Sequence, residues 1–120
     1  MIKECKQGNQ VCYFKKLDLL LAKGQYRLVE PKDILYLQAD RSYCKVHLLN
    51  GEVLVASKPL NRFEKKLCAG KFLRSHRSYL INKVHVSGFS RNDKMIRLAE
   101  GIELPCSERA LKELIKELVL

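Results

Sequence analysis

The sequence predicts a mainly β domain with two short helices. Apolar residues recur in short runs separated by Gly, Pro, Asn and Asp, the punctuation of strands and turns. Only two stretches carry apolar residues at helical spacing. The apolar run Leu19–Ala22 is far below the ~20 residues that a membrane span needs, so the fold is expected to be packed rather than inserted.

Taken in order, residues 1–16 are expected to form a loosely ordered N-terminal segment ahead of one domain over 17–120. Residues 17–22 and 26–29 flank Lys23-Gly24-Gln25, the spacing of a hairpin with glycine in the turn. Glu30-Pro31-Lys32-Asp33 then breaks the pairing. Residues 34–39 are too short a run for an independent helix and lead into Asp40-Arg41-Ser42, which suits a buried strand ending in an exposed loop. From Tyr43 the pattern alternates: Cys44, Val46 and Leu48 share one face, while Tyr43, Lys45 and His47 share the other. Asn50-Gly51 is a strong hairpin signal before residues 52–55. A first helix is expected from Ser57 as N-cap, with Pro59 in its first turn. Its apolar stripe is Leu60, Phe63 and Leu67, and its outer face is basic through Arg62, Lys65 and Lys66. After Gly70 strands are expected over 79–82, 84–89, 95–99 and 102–104, with turns at 90–93 and Glu100-Gly101, in a meander. A closing helix starts near Ser107, with Ala110, Leu111, Leu114, Ile115 and Leu118 inward and Lys112, Glu113, Lys116 and Glu117 outward.

Composition narrows the function. The 120 residues hold 23 Lys or Arg against 13 Asp or Glu, a formal charge of +10, and 47% are hydrophobic. That is one domain's length with an ordinary apolar fraction, so a packed core is expected. The charge is uneven: residues 58–94 alone hold ten basic and two acidic side chains. Such a field attracts polyanions. Five cysteines, an odd number with no CxxC pair, encode neither a disulfide framework nor a zinc knuckle and suit a reducing cytoplasm. No signal-peptide apolar region follows Met1, so the chain is expected to be soluble and cytoplasmic, with no membrane insertion.

Catalysis finds little support. No GxSxG, HExxH, P-loop or GxGxxG occurs, and the carboxylates lie mostly in turns and on the last helix, so no enzyme, cofactor or metal site is expected. His76 and His85 stand nine residues apart without a cysteine or acid at ligand spacing, and Cys44 and Cys68 are better read as small apolar residues. The stretch Arg74-Ser75-His76-Arg77-Ser78-Tyr79 is different: six polar or amphipathic residues between Phe72-Leu73 and Leu80-Ile81 ask for an exposed connection. Arg forks pair with guanine edges or phosphates, and His, Ser and Tyr add donors and a flat ring. On composition alone, a solvated basic turn accounts for it equally well.

The ordered set 33–39, 42–46, 72–82 and 104–109, including the F-x-R-x-H-R-S-Y-x-x-N stretch and the downstream P-x-S-x-R, resembles the LytTR DNA-binding domain family over nearly the whole chain. The resemblance implies a bacterial transcription regulator, typically a response-regulator output domain. It also implies a LytTR-like multi-stranded β fold whose loops, with no recognition helix, enter successive major grooves of double-stranded DNA. By motif the implied contacts are Asp40, Arg41 and Ser42; then Arg74, His76, Arg77 and Ser78; then Ser107 and Arg109. Ser42, Arg77 and Arg109 are the implied base readers, whereas Lys58, Arg74 and Ser78 are expected at phosphates. Ser107 also has a complete role as helix N-cap. His76 is expected to be half buried and to orient its neighbours, and Asn82 to serve the turn before Val84. The resemblance further implies paired direct repeats, a homodimer on DNA, and a phosphoacceptor receiver domain for which 120 residues leave no room. The chain is thus expected to be either part of a longer response regulator or a stand-alone member controlled by abundance or by a partner protein.

Two other readings compete. The basic middle third fits an interaction module docking on an acidic regulatory or membrane partner. RNA binding is the weaker fit, since aromatics are 8%, Trp is absent, and only Tyr43 and Tyr79 are placed to stack on bases.

Overall fold

A computed structural model describes residues 6–7, 10–11, 17–21, 24–67 and 71–118. Strands dominate, as the alternating runs require. Two short pairs come first: β1 (Lys6–Gln7) with β2 (Gln10–Val11), and β3 (Leu17–Leu20) with β4 (Tyr26–Val29), both antiparallel. The rest of segment 1–16, and Cys68 with it, lies outside the described residues.

The centre is a five-stranded antiparallel sheet in the order β7-β6-β5-β9-β8. Its strands are β5 (Ile34–Asp40), β6 (Tyr43–Leu48), β7 (Val53–Ala56), β8 (Phe72–His76) and β9 (Tyr79–Asn82). A three-stranded sheet, β10 (Val86–Ser90), β11 (Met95–Leu98) and β12 (Glu103–Pro105), is the later part of the expected meander; the strand expected at 79–82 pairs instead into the central sheet, and residues 83–85 form a 3-10 turn ahead of β10. Helix α1 spans Leu60–Lys66 and helix α2 spans Glu108–Leu118.

Both faces of the central sheet are covered, because its inner strands are apolar on both sides. One core joins Leu37, Cys44, Val46, Leu80 and Phe72 to Leu19 of β3 and to Leu60 and Phe63 of α1. The other joins Leu35, Tyr36, Leu73 and Ile81 to Ile96, Leu98 and Leu104 of the meander and to Ala110, Leu111 and Leu114 of α2. A bulge between Ile34 and Tyr36 leaves Leu35 without a cross-strand partner, so Leu35 and Tyr36 both serve the second core. Cys44 and Cys106 sit in different cores, where burial pushes their thiols up to about 12 and about 11.

Two expectations need correction. Helix α1 begins at Leu60 with Pro59 in the N-cap position and no side-chain cap, not at Ser57. The Ser57 amide instead donates to the Leu20 carbonyl (2.8 Å), and this bond joins the chain to β3 and delays the helix. The segment 74–79 is not an exposed connection. Residues through His76 extend β8, Tyr79 opens β9, Ser75 is fully buried, and the turn narrows to Arg77-Ser78. A bulge between Arg74 and His76 accommodates the extra residue.

Asn82 does more than serve a turn. It is 2% exposed, and its Oδ1 accepts from Val84 N–H (3.3 Å) while its Nδ2 donates to the carbonyls of Pro31 (3.1 Å) and Ile34 (2.9 Å). One side chain thus satisfies three backbone groups and ties β9 to the entry of β5. Among the described residues no helix is long and apolar enough to cross a membrane.

Candidate nucleic-acid interface

Register brings the sequence-predicted residues together. Asp40 pairs with Tyr43, so Arg41 and Ser42 form the β5–β6 turn. His76 pairs with Tyr79, so Arg77 and Ser78 form the β8–β9 turn. The two turns are neighbours: Ala39 N–H donates to the Ser78 carbonyl (2.8 Å). Cys44 pairs with Ala56, so the chain leaves β7 at Ser57 and Lys58 beside Tyr43. Ser107 N–H donates to the Ser75 carbonyl (2.7 Å), which anchors the start of α2 beside the β8–β9 turn. Asp40, Arg41, Ser42, Lys58, Arg77, Ser78, Ser107 and Arg109 therefore converge on one end of the sheet although they span the sequence from 40 to 109.

The cations at this end differ sharply in freedom. Arg74 is spent on the fold: its Nε donates to the His76 carbonyl (3.0 Å), its Nη2 to the Arg77 carbonyl (2.6 Å), and its Nη1 to Glu64 of α1. One guanidinium fork thus clamps the β8–β9 turn and docks α1 on it, a task that the ammonium of lysine cannot perform. By contrast Arg41, Lys58, Arg77 and Arg109 are exposed, and none of them makes an ion pair with a described residue. Arg41 also adopts φ 58°, a conformation that glycine or asparagine takes at lower cost. The only acid in ion-pair range of a cation in the β5–β6 turn and its flanks is Asp40, with Lys45 at 4.0 Å.

The remaining residues fill in the geometry. His76 is half-buried, and its Nδ1 accepts from Ser78 N–H (3.1 Å), which leaves Nε2–H as the ring's donor. Ser78 joins the two turns through its carbonyl, while its N–H braces the β8–β9 turn against His76. Ser107 caps α2, its Oγ accepting from Ala110 N–H (3.2 Å), and Arg109 follows in the first helical turn.

Three residues at this end were not among the implied contacts. Tyr43 is 51% exposed next to Ser42, and its outward position was readable from the alternation with Cys44. Arg91 and Lys94 lie in the β10–β11 turn, which Cys106 N–H reaches by donating to the Lys94 carbonyl (2.9 Å). Lys94 has φ 53°, the second cation here in a glycine-like conformation. No local signal places that turn beside α2, because the tie to Cys106 is long-range.

On the face of the sheet that carries the second core, His47 stacks on Tyr36 (ring centroids 4.1 Å apart) and its Nε2–H donates to Gln38 Oε1 (3.2 Å). Burial, with Lys45 nearby, lowers its pKa from the ordinary value and keeps it neutral.

A β scaffold whose turns gather unpaired cations at one end, where among the described residues helices contribute only the first turn of α2, defines a class of polyanion-binding domain. Residues 24–118 match the model of the LytTr DNA-binding domain, and the chain belongs to that family. It is a family of DNA-binding domains, not of enzymes. The CO-responsive transcriptional regulator RcoM of Rhodospirillum rubrum is 32% identical over 81 residues, 68% of this chain and 34% of that protein. The sensory transduction protein LytT of Enterococcus faecalis is 27% identical over 110 residues, 88% of this chain and 45% of that one. The transcriptional regulatory protein LytR of Staphylococcus aureus is 26% identical over 89 residues, 72% and 36% of the two chains. The chain thus spans between 34% and 45% of the length of these relatives. A LytTr DNA-binding domain from Bacillus cereus shares the fold, with a TM-score of 0.72 at 21% identity over 89% of this chain and 99% of that one.

Proposed function

We propose that the domain binds double-stranded DNA sequence-specifically as the output module of a bacterial transcription regulator, its turns entering successive major grooves. The observation that carries this reading is the convergence of unpaired cations on register-locked turns. Adjacent strands lie about 4.8 Å apart and packed layers about 10 Å at right angles to them, so Lys58 at one edge of the five strands and Arg109 on the next layer stand roughly 22 Å apart. Major grooves about 12 Å wide recur every turn of about 34 Å, so the near edges of two successive grooves are also about 22 Å apart on one face of the duplex, within reach of a rigid surface of this width.

Roles divide by mobility. Ser42, Arg77 and Arg109, with Tyr43 beside them, are the base-reading set; Arg41, Lys58, Ser78, Arg91 and Lys94 meet phosphates. Arg74 and His76 act as positioning residues for the β8–β9 turn, and Ser107 chiefly holds α2. A phosphate near the start of α2 would offset the unfavourable placement of Arg109 against the helix dipole. The relatives are transcriptional regulators or a sensory transduction protein, which supports a switch supplied by another domain or a partner and action in the cytoplasm. Two copies on paired direct repeats complete the assembly.

In-vitro selection from a random duplex library at physiological ionic strength tests the proposal. An enriched motif, bound with an affinity that falls by about 0.9 log units per log unit of salt for each phosphate neutralised, is expected. Flat enrichment by a well-folded chain contradicts it.

A further inference from the structure

We infer that a second surface, the groove between the β3–β4 hairpin and α1, docks an acidic amphipathic segment of a partner protein. The groove has a volume of about 450 Å³, with Leu20, Tyr26 and Phe63 forming its floor and Lys58, Arg62 and Lys65 on its rim. Tyr26 is 66% exposed; Leu28, two residues along the same face of β4, is 59% exposed but lines a separate cleft with Arg27, Glu30 and Asp33. Arg62 and Lys65 are exposed on the outer face of α1 and pair with no described carboxylate. On the nearby sheet Arg74 is already held by Glu64 and Lys45 lies 4.0 Å from Asp40.

Charge complementarity selects an acidic occupant, and the floor selects a protein. A phosphate backbone needs cations but gains nothing from half-exposed Tyr and Leu side chains. A segment with Asp or Glu on one side and Leu or Phe on the other matches both parts of the surface. Direction supports the same choice. Helix α1 leaves the basic end just after Lys58 and runs toward Phe72, which pairs with Asn82 at the opposite end of the sheet. The groove thus starts at the basic end, where Leu20 and its partner Tyr26 lie beside Ser57 and Lys58, and its α1 side climbs the flank away from the turns assigned to DNA. A segment bound there would lie alongside an occupied duplex and leave the turns free, which suits contact with a regulatory domain or with transcription machinery.

The test selects random dodecapeptides by display on the intact chain without DNA, so it stands apart from the duplex selection and its failure is distinguishable. Enriched peptides are expected to interleave Asp or Glu with Leu or Phe and to shift the amide resonances of β4 and α1. Their affinity should fall about tenfold in Arg62→Gln/Lys65→Gln, where Gln keeps a good helix former, and by a similar factor in Tyr26→Ser. Circular dichroism and melting verify that both variants fold. The salt slope for the selected duplex is expected to stay unchanged in Arg62→Gln/Lys65→Gln. A library without acidic apolar enrichment, or peptides that bind the variants equally well, would overturn the inference. So would a slope shallower by about 0.9 per cation removed, which would make the groove a flanking phosphate contact.

Discussion

At the end of the central sheet that carries Asn50-Gly51 and Asn82, most cations are matched: Arg27 is bound by Glu52 (2.8 Å), Lys83 by Glu117 and Lys32 lies near Glu30 (3.9 Å), while Lys71 has no ion pair with a described residue. At the other end Arg41, Lys58, Arg77, Arg91, Lys94 and Arg109 have no ion pair with any described residue. Two unit charges 4 Å apart in water repel by about 1 kcal/mol, and salt screens them beyond ~8–10 Å, so leaving this end uncompensated is a modest but real cost. Arg41 and Lys94 add conformational cost by holding positive φ. The comparison teaches that one end is composed for stability and the other for a ligand that supplies the missing negative charge.

Substitutions at the two ends should therefore separate folding from binding. The largest effect is expected at the matched end. Asn82→Ala strands the buried Ile34 carbonyl together with the part-buried Pro31 carbonyl and Val84 amide, at ~1–3 kcal/mol for each buried group left unsatisfied and less where water can reach, so urea unfolding should report a loss of about 3 kcal/mol. The duplex affinity of the molecules that remain folded should be unchanged. Next, at the basic end, Arg77→Ala should cost ~1–3 kcal/mol of affinity for the selected duplex, relax its preference at one position, and leave the melting temperature alone. Arg74→Lys sharpens the contrast. It keeps the charge but loses the fork, so affinity and melting temperature should fall together while the salt slope stays constant. Equal melting temperatures for wild type and Arg74→Lys would return Arg74 to the set of direct contacts.

A smaller effect tests the stored strain. Arg41→Gly should leave stability unchanged or raise it by up to about 1 kcal/mol, because glycine accepts φ 58° more readily while loosening the unfolded chain. Its duplex binding should weaken, with a slope shallower by about 0.9. The mildest effect is a pH dependence. His47 is held neutral with its folded pKa below that of the unfolded chain, so the unfolded state takes up the proton first as pH falls from 7. Stability should decline as pH drops through the ordinary histidine range and level off below the folded pKa. His47→Gln should flatten that part of the profile.

Much of this was legible in the residues themselves. The alternation of Cys44, Val46 and Leu48 placed β6 and its inner face, Asn50-Gly51 placed the hairpin, and the apolar spacing after Ser107 placed α2 with its cap, because each is a local signal. The start of α1 was not legible, since the Ser57 amide is claimed by the distant Leu20 carbonyl. Segment 74–79 looked exposed because polarity is a one-residue property, whereas the burial of Ser75 and the clamp made by Arg74 follow from tertiary contacts. Arg77 and Arg109 were named through family resemblance, not spacing. Arg91 and Lys94 were missed because their turn reaches the basic end through non-local ties, the Met95–Pro105 pairing and the Cys106–Lys94 bond.

The most direct test of the division between the ends is amide chemical-shift mapping of the labelled chain titrated with its selected duplex. Shifts concentrated at residues 41–43, 58, 76–78, 91–94 and 107–109, with residues 50–52, 83 and 100–101 silent, are the predicted result. Shifts centred on the matched end, or spread evenly over both, would contradict the assignment of the basic end to DNA.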